Sequence, residues 1–126
     1  MIVDASAILA ILLHEEERQV FRRLIASESC RLSPVNLWEV AAKLEREAGQ
    51  SIDLSVWLDA SQIAIEPITA QHAETAIEAR RRYGKGEHPA RLNLGDCFAY
   101  ALAKTTGEPL LFKGDDFRQT DIEAAA

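Results

Sequence analysis

Four short strand candidates, residues 1–3, 30–32, 63–65 and 110–112, are spaced along the chain, and each gap between them is long enough for at least one helix. This alternation constrains the fold more than any other feature. A strand that reaches the next strand only through a helix returns parallel to itself, by a right-handed crossover that packs the helix on the sheet. The expectation is an α/β chain with a short, mostly parallel sheet covered on both faces. The helices are expected at 5–13, 14–26, 34–48, 54–61, 70–83 and 94–104, and their punctuation is explicit. Ser33-Pro34 offers a capping hydroxyl followed by proline in the first turn, with Gly49 as the stop. Thr69 caps the fifth helix; Gly107, with Pro109 beyond it, ends the sixth.

At 126 residues the chain fits one domain, 1–126, with no room for a second. Hydrophobic residues make up 48 % and charged residues 27 %, which excludes disordered, collagen-like and disulfide-scaffold classes. The apolar run at 7–13 falls well short of the roughly 20 residues of a membrane helix. The opening Met1-Ile2-Val3-Asp4 lacks the basic start of a secretion signal, so a cytoplasmic location is expected. Cys30 and Cys97 lie in apolar surroundings and read as small buried hydrophobes rather than a disulfide.

Net charge is −6, which speaks against a nonspecific nucleic-acid coat protein. Yet Arg80, Arg81, Arg82, Lys85 and Arg91 crowd one stretch that could steer a phosphate backbone locally. The plainer alternative is a solvated helix end running into a loop.

Carboxylates carry the chemical signal. Asp4 follows the first strand, at the sheet edge where α/β proteins bind ligands, although it could simply cap the next helix. Asp96 is the only acid of an otherwise apolar helix. It either needs a buried partner or completes a capping box with Asn93. Glu39 shares a narrow polar stripe with Lys43 and Arg46, and periodicity does not say whether that stripe faces solvent or a cleft. Asp115 and Asp116 follow the fourth strand at a glycine turn. Clustered carboxylates raise one another's pKa unless a cation intervenes, and an all-oxygen donor set selects Mg²⁺ or Mn²⁺ over zinc. His14, His72 and His88 lack metal-ligand spacing, and there is no nucleophile elbow and no glycine-rich phosphate loop.

Taken in order, Met-Ile-Val-Asp4-Ala-Ser6-Ala, Pro34…Asn36-Leu-Trp-Glu39-Val, Leu94-Gly95-Asp96-Cys-Phe-Ala-Tyr-Ala-Leu-Ala and Leu-Leu-Phe-Lys-Gly-Asp115-Asp116-Phe117…Thr120-Asp121-Ile122 resemble the PIN domain. More narrowly they are similar to VapC-type toxins of bacterial type II toxin–antitoxin modules. The resemblance implies a small three-layer α/β/α fold and a metal-dependent endoribonuclease using Mg²⁺ or Mn²⁺. It also implies a homodimer and a VapB-like antitoxin that fills the active groove, with operator DNA reached only through the antitoxin complex. Asp4, Glu39 and Asp96 match the first three family acids and Asp116 the fourth. Asp115 stands where the family often has asparagine, so it adds a carboxylate that could also face the metal. Ser6, Asn36 and Thr120 match supporting positions around the acids. The chemistry expected of such a site is in-line attack of water on an RNA phosphodiester, leaving a 5′-phosphate and a 3′-hydroxyl. An exposed RNA loop is the expected target, and Arg80, Arg81, Arg82, Lys85 and Arg91 would guide its backbone.

Two rival readings remain. A haloacid-dehalogenase-type phosphatase would use Asp4 as nucleophile with Lys113 and Asp115-Asp116, but Ser6 stands where that plan needs an acid. A PIN-like module that only binds a partner or RNA would keep its acids for folding alone.

Overall fold

A computed structural model describes residues 1–48 and 52–126. In chain order the elements are β1 (Ile2–Val3), α1 (Ala5–Leu12), α2 (Arg18–Ser27), β2 (Cys30–Leu32), α3 (Pro34–Ala48), α4 (Leu54–Ala60), β3 (Ile63–Ile65), α5 (Ala70–Tyr83), α6 (Leu94–Thr106) and β4 (Leu110–Leu111). A 3-10 turn over Asp116–Gln119 follows. The four strands form one parallel sheet in the order β3-β2-β1-β4, with Ile2 paired to both Arg31 and Leu110.

Strand side chains alternate between the two faces of a sheet, and this alternation builds the layers. Val3 and Leu111 join Ile8, Ile11, Phe21, Ile25, Val40 and Leu44 in a core on one face. Ile2 and Leu110 join Ala79, Tyr83, Tyr100, Leu102 and Phe117 in a core on the other. The three-layer α/β/α arrangement follows from two-residue strands whose members point opposite ways. Chain order along the sheet reverses between β1 and β4, which opens a crevice at the carboxyl ends of those strands, where open α/β sheets take ligands.

Several boundaries differ from the expectation. The second helix begins at Arg18 rather than at His14, because His14 adopts a left-handed backbone (φ 57°) that breaks the helical path. The intervening acids are used for docking: Glu15 and Glu17 pair with Lys113 Nζ at 2.9 and 3.5 Å. The last helix runs on to Thr106, with the Thr105 and Thr106 hydroxyls donating to Ala101 O and Leu102 O at 2.9 and 2.7 Å. Gly107 then ends it in the left-handed conformation (φ 69°) that glycine adopts without a Cβ clash. The stop expected at Gly49 lies outside the described residues. The terminal alanines bind the sheet: Ala125 N–H donates to Leu110 O, and Leu110 N–H to Glu123 O, both at 2.9 Å. Cys30 and Cys97 are free and buried. Among the described residues, no helix is long and apolar enough to cross a membrane.

Candidate active site

At the carboxyl end of β1, Asp4 caps α1 and is only 3 % exposed. Its Oδ2 accepts from Ser6 N–H at 3.0 Å and from the Ser6 hydroxyl at 2.5 Å. The same Ser6 oxygen accepts from Lys113 N–H at 3.0 Å, so one hydroxyl ties the loop after β4 to the loop after β1. Both readings of Asp4 therefore hold: it caps a helix and lines the crevice. Its second oxygen, Oδ1, is buried with no hydrogen-bond partner.

Glu39 faces the cleft rather than pairing with Lys43, which pairs instead with Glu47 at 3.8 Å. Asn36, fully buried, aims it: Asn36 Nδ2 donates to Glu39 Oε2 at 3.0 Å and to Gly95 O at 3.1 Å. One side chain thus links α3 to the start of α6. Asp96 completes the capping box that the sequence suggests. Asn93 Oδ1 accepts from Asp96 N–H at 2.9 Å, and Asp96 Oδ2 accepts from Asn93 N–H at 3.0 Å.

Asp4, Ser6, Glu39, Asn93 and Asp96 line one open groove of about 770 Å³, together with Trp38, Ala42, Lys43, Glu45, Arg46 and Glu47 of α3. Burial pushes the Asp4 carboxyl up to about 6, with Glu39 adding repulsion, although the Ser6 hydrogen bonds oppose the rise. Burial, then repulsion from Asp4 and Asp116, pushes Asp96 up to about 7. Glu39 is raised by burial and by Asp96. Four carboxylates from four separate segments therefore share one field. Asp116 takes part in it from the 3-10 turn, whereas Asp115, also exposed, is not among the charges acting on Asp96. Neither Asp115 nor Asp116 is among the residues that line the groove.

Such a field has a measurable cost. Carboxyls whose folded pKa is raised bind protons in the native state that the unfolded chain has already released, so stability falls as pH rises. In chelator, the contribution is complete below about pH 4 and is lost as pH passes through about 6 for Asp4 and about 7 for Asp96. Denaturant melts at pH 5 and pH 8 should differ by a few kcal/mol, on the order set by these two groups, with pH 5 the more stable. Equal midpoints would mean that the acids are not crowded. Ser6→Ala, which strands Lys113 N–H and removes a partner from Asp4, should cost about 1 to 2 kcal/mol in the same melts.

The structure does not bring every expected residue to the groove. Thr120 closes the turn after the 3-10 helix, donating to Phe117 O at 2.7 Å, and supports no carboxylate. The basic stretch divides because consecutive helical residues point about 100° apart. Arg81 pairs with Glu78 and Arg82 with Asp121, both at 3.9 Å, and both point away from the acids. Arg80 and Lys85 line a second, largely apolar hollow that shares Asn93 with the acidic groove, and Arg91 lies farther out with Lys85 beside Pro89. Lys113, which a phosphatase plan would aim at Asp4, is held by Glu15 and Glu17 instead.

Gly95 has a role that the sequence reading left unassigned. A Cβ there would overlap the Glu39 carboxylate. A glycine inside a helix costs about 1 kcal/mol relative to alanine and so asks for a packing reason; that was the available signal.

A divalent cation suits these residues. The donor set is all oxygen, its members repel one another, and one buried carboxylate oxygen lacks a partner. Among the described residues no three His, Cys, Asp or Glu side chains converge as a ready-made cage.

Residues 1–123 match the PIN domain family model. The chain is 47 % identical to Ribonuclease VapC42 of Mycobacterium tuberculosis, over 99 % of this chain and 98 % of that protein. It is 42 % identical to a Ribonuclease VapC of Mycolicibacterium smegmatis, with 98 % of each covered. The crystal structure of M. tuberculosis VapC20, described as a sarcin-ricin loop cleaving toxin, superposes with a TM-score of 0.76 at 21 % identity, covering 96 % of this chain and 95 % of that one. The chain belongs to the PIN-domain family, in its VapC branch.

Proposed function

We propose that this chain is a Mg²⁺- or Mn²⁺-dependent endoribonuclease toxin, built as one PIN unit, acting in the cytoplasm and held silent by a VapB-like antitoxin. The observation that carries this reading is the groove lined by Asp4, Glu39 and Asp96, with Asp4 Oδ1 buried and unpartnered and Asp116 acting on Asp96 by charge. Its VapC relatives bear ribonuclease names, and a toxin–antitoxin complex from Klebsiella pneumoniae shares the fold with a TM-score of 0.70. Asp4, Asp96 and Asp116, assisted by Glu39, would hold the cation, with Asp115 a further candidate ligand. When bound, the cation would polarise the scissile phosphate and lower the pKa of an attacking water. Ser6 fixes the Asp4 carboxylate, Asn36 fixes Glu39, and Asn93 fixes Asp96, so these acids are oriented before substrate arrives. Arg80 and Lys85, next to the groove, would guide the RNA backbone. A homodimer, with operator DNA contacted only through the antitoxin complex, completes the proposal.

The test is digestion of total bacterial RNA by the purified, antitoxin-free protein, with Mg²⁺ or Mn²⁺, with EDTA, and beside Asp4→Ala. Discrete fragments should form with metal and vanish with EDTA or the variant. Since Asp4 also caps α1, circular dichroism must show the variant folded. Absence of fragments from folded wild-type protein under every condition would overturn the proposal in favour of a binding module.

A further inference from the structure

Trp38 is 71 % exposed. Aromatic side chains of this size are rarely left so open without a use. Trp38 precedes Glu39 on α3, and both line the acidic groove. The other charged residues of that wall oppose one another: Lys43 and Arg46 against Glu45 and Glu47, with Lys43 paired to Glu47 at 3.8 Å. With Glu39 counted, the wall carries a net charge of −1, so it does not attract a phosphate chain by charge, and Trp38 is its one aromatic side chain. Trp38 and Asp96 line the same groove.

The geometry points to Trp38 as a base-stacking platform that holds one unpaired nucleotide of the RNA beside the carboxylates. This rests on the ribonuclease reading and adds a requirement to it: the substrate must present a base that is free to leave its own stack. Stacking on an aromatic ring accepts any base, because every base has a π-face, so Trp38 would select single-stranded character rather than sequence. A duplex keeps its base faces covered.

Trp38 and Trp57 are the only two tryptophans, so Trp57→Phe leaves Trp38 as the single indole fluorophore. In an Asp96→Asn background, which should bind without cutting, the probe is a pool of random single-stranded RNA 12-mers in Mg²⁺. A matching pool with abasic sites keeps the phosphates and lacks the bases. The intact pool should quench Trp38 fluorescence, while the abasic pool should not and should bind about tenfold more weakly. Trp38→Ala should weaken binding of the intact pool by about the same factor, and Trp38→Phe should stay close to the parent. The salt dependence of binding should be the same in all three proteins, because the phosphate contacts are untouched.

Equal affinity of Trp38→Ala and the parent, or equal quenching by the abasic pool, overturns the inference and leaves the ribonuclease reading standing. A change of sedimentation coefficient in Trp38→Ala without RNA overturns it too, by making the indole a contact between protein chains. If the wild-type protein neither cuts nor binds RNA, the ribonuclease reading falls first and the inference with it.

Discussion

Asp96→Asn should lose essentially all RNA cleavage while the protein stays folded and, in chelator at pH 8, becomes more stable than the wild type. Both halves follow from the surroundings of one side chain. The Asp96 carboxyl is pushed up to about 7 by burial and by the charges of Asp4 and Asp116, so ionising it at pH 8 opposes folding. Asparagine is neutral and nearly isosteric, and its amide oxygen can still accept from Asn93 N–H, which keeps the capping box closed. The missing negative charge is the one a cation would bind. Metal ions contribute several kcal/mol to phosphoryl-transfer transition states, and each 1.4 kcal/mol is tenfold in rate. The expected loss in kcat is on the order of 10³-fold or more. Gel-based cleavage and a pair of melts decide it. Wild-type cutting by the variant would remove Asp96 from the metal site, and a lower melting point in chelator would mean that its charge is structurally favourable.

Gly95→Ala should lower activity on the order of 10²-fold through a methyl group that touches no substrate. The added Cβ would overlap the Glu39 carboxylate, and displacing a positioned group by about an ångström is enough for a loss of that size. Asn36 bridges Glu39 and Gly95 O, so moving the carboxylate aside gives up that hydrogen bond. The obstacle is the end of a flexible side chain, so the cost in stability should stay near that of one hydrogen bond, about 1 kcal/mol. A double-mutant cycle isolates the cause. Once Glu39→Ala has removed the obstacle, Gly95→Ala should cost nothing in stability, and the better helix former should even help slightly. An undiminished penalty in that background would place the clash elsewhere.

Much of this molecule is legible in its residues, and what is illegible has specific causes. The strands announce themselves by largely apolar runs too short for helices, and Thr69, Asn93 and Gly107 mark helix ends where the structure has them. These are local signals, readable without knowing what packs against what. The direction of Glu39 is not local. Its stripe could face water or a cleft, and only the packing of α3 beside α6, through Asn36 and Gly95, decides. Arg80, Arg81 and Arg82 look like one basic patch in a linear reading, yet helical rotation sends two of them to carboxylates away from the groove. Thr120 illustrates the same limit in reverse: a hydroxyl near an acidic motif is engaged by a neighbouring carbonyl. For the fourth acid the motif resemblance points to Asp116, and both Asp115 and Asp116 are exposed and outside the groove lining.

The four acids stand at positions 4, 39, 96 and 116, and β1 meets β4 only through the pairing of Ile2 with Leu110 and Val3 with Leu111. A growing polypeptide therefore carries its first aspartate for almost the whole of its synthesis without the strand that brings the last one alongside. No fragment ending before β4 contains the complete site, and neither does a chain in which one core has failed to close. The acid at position 116 lies beyond β4, so the four acids are joined only when the last strand pairs with the first.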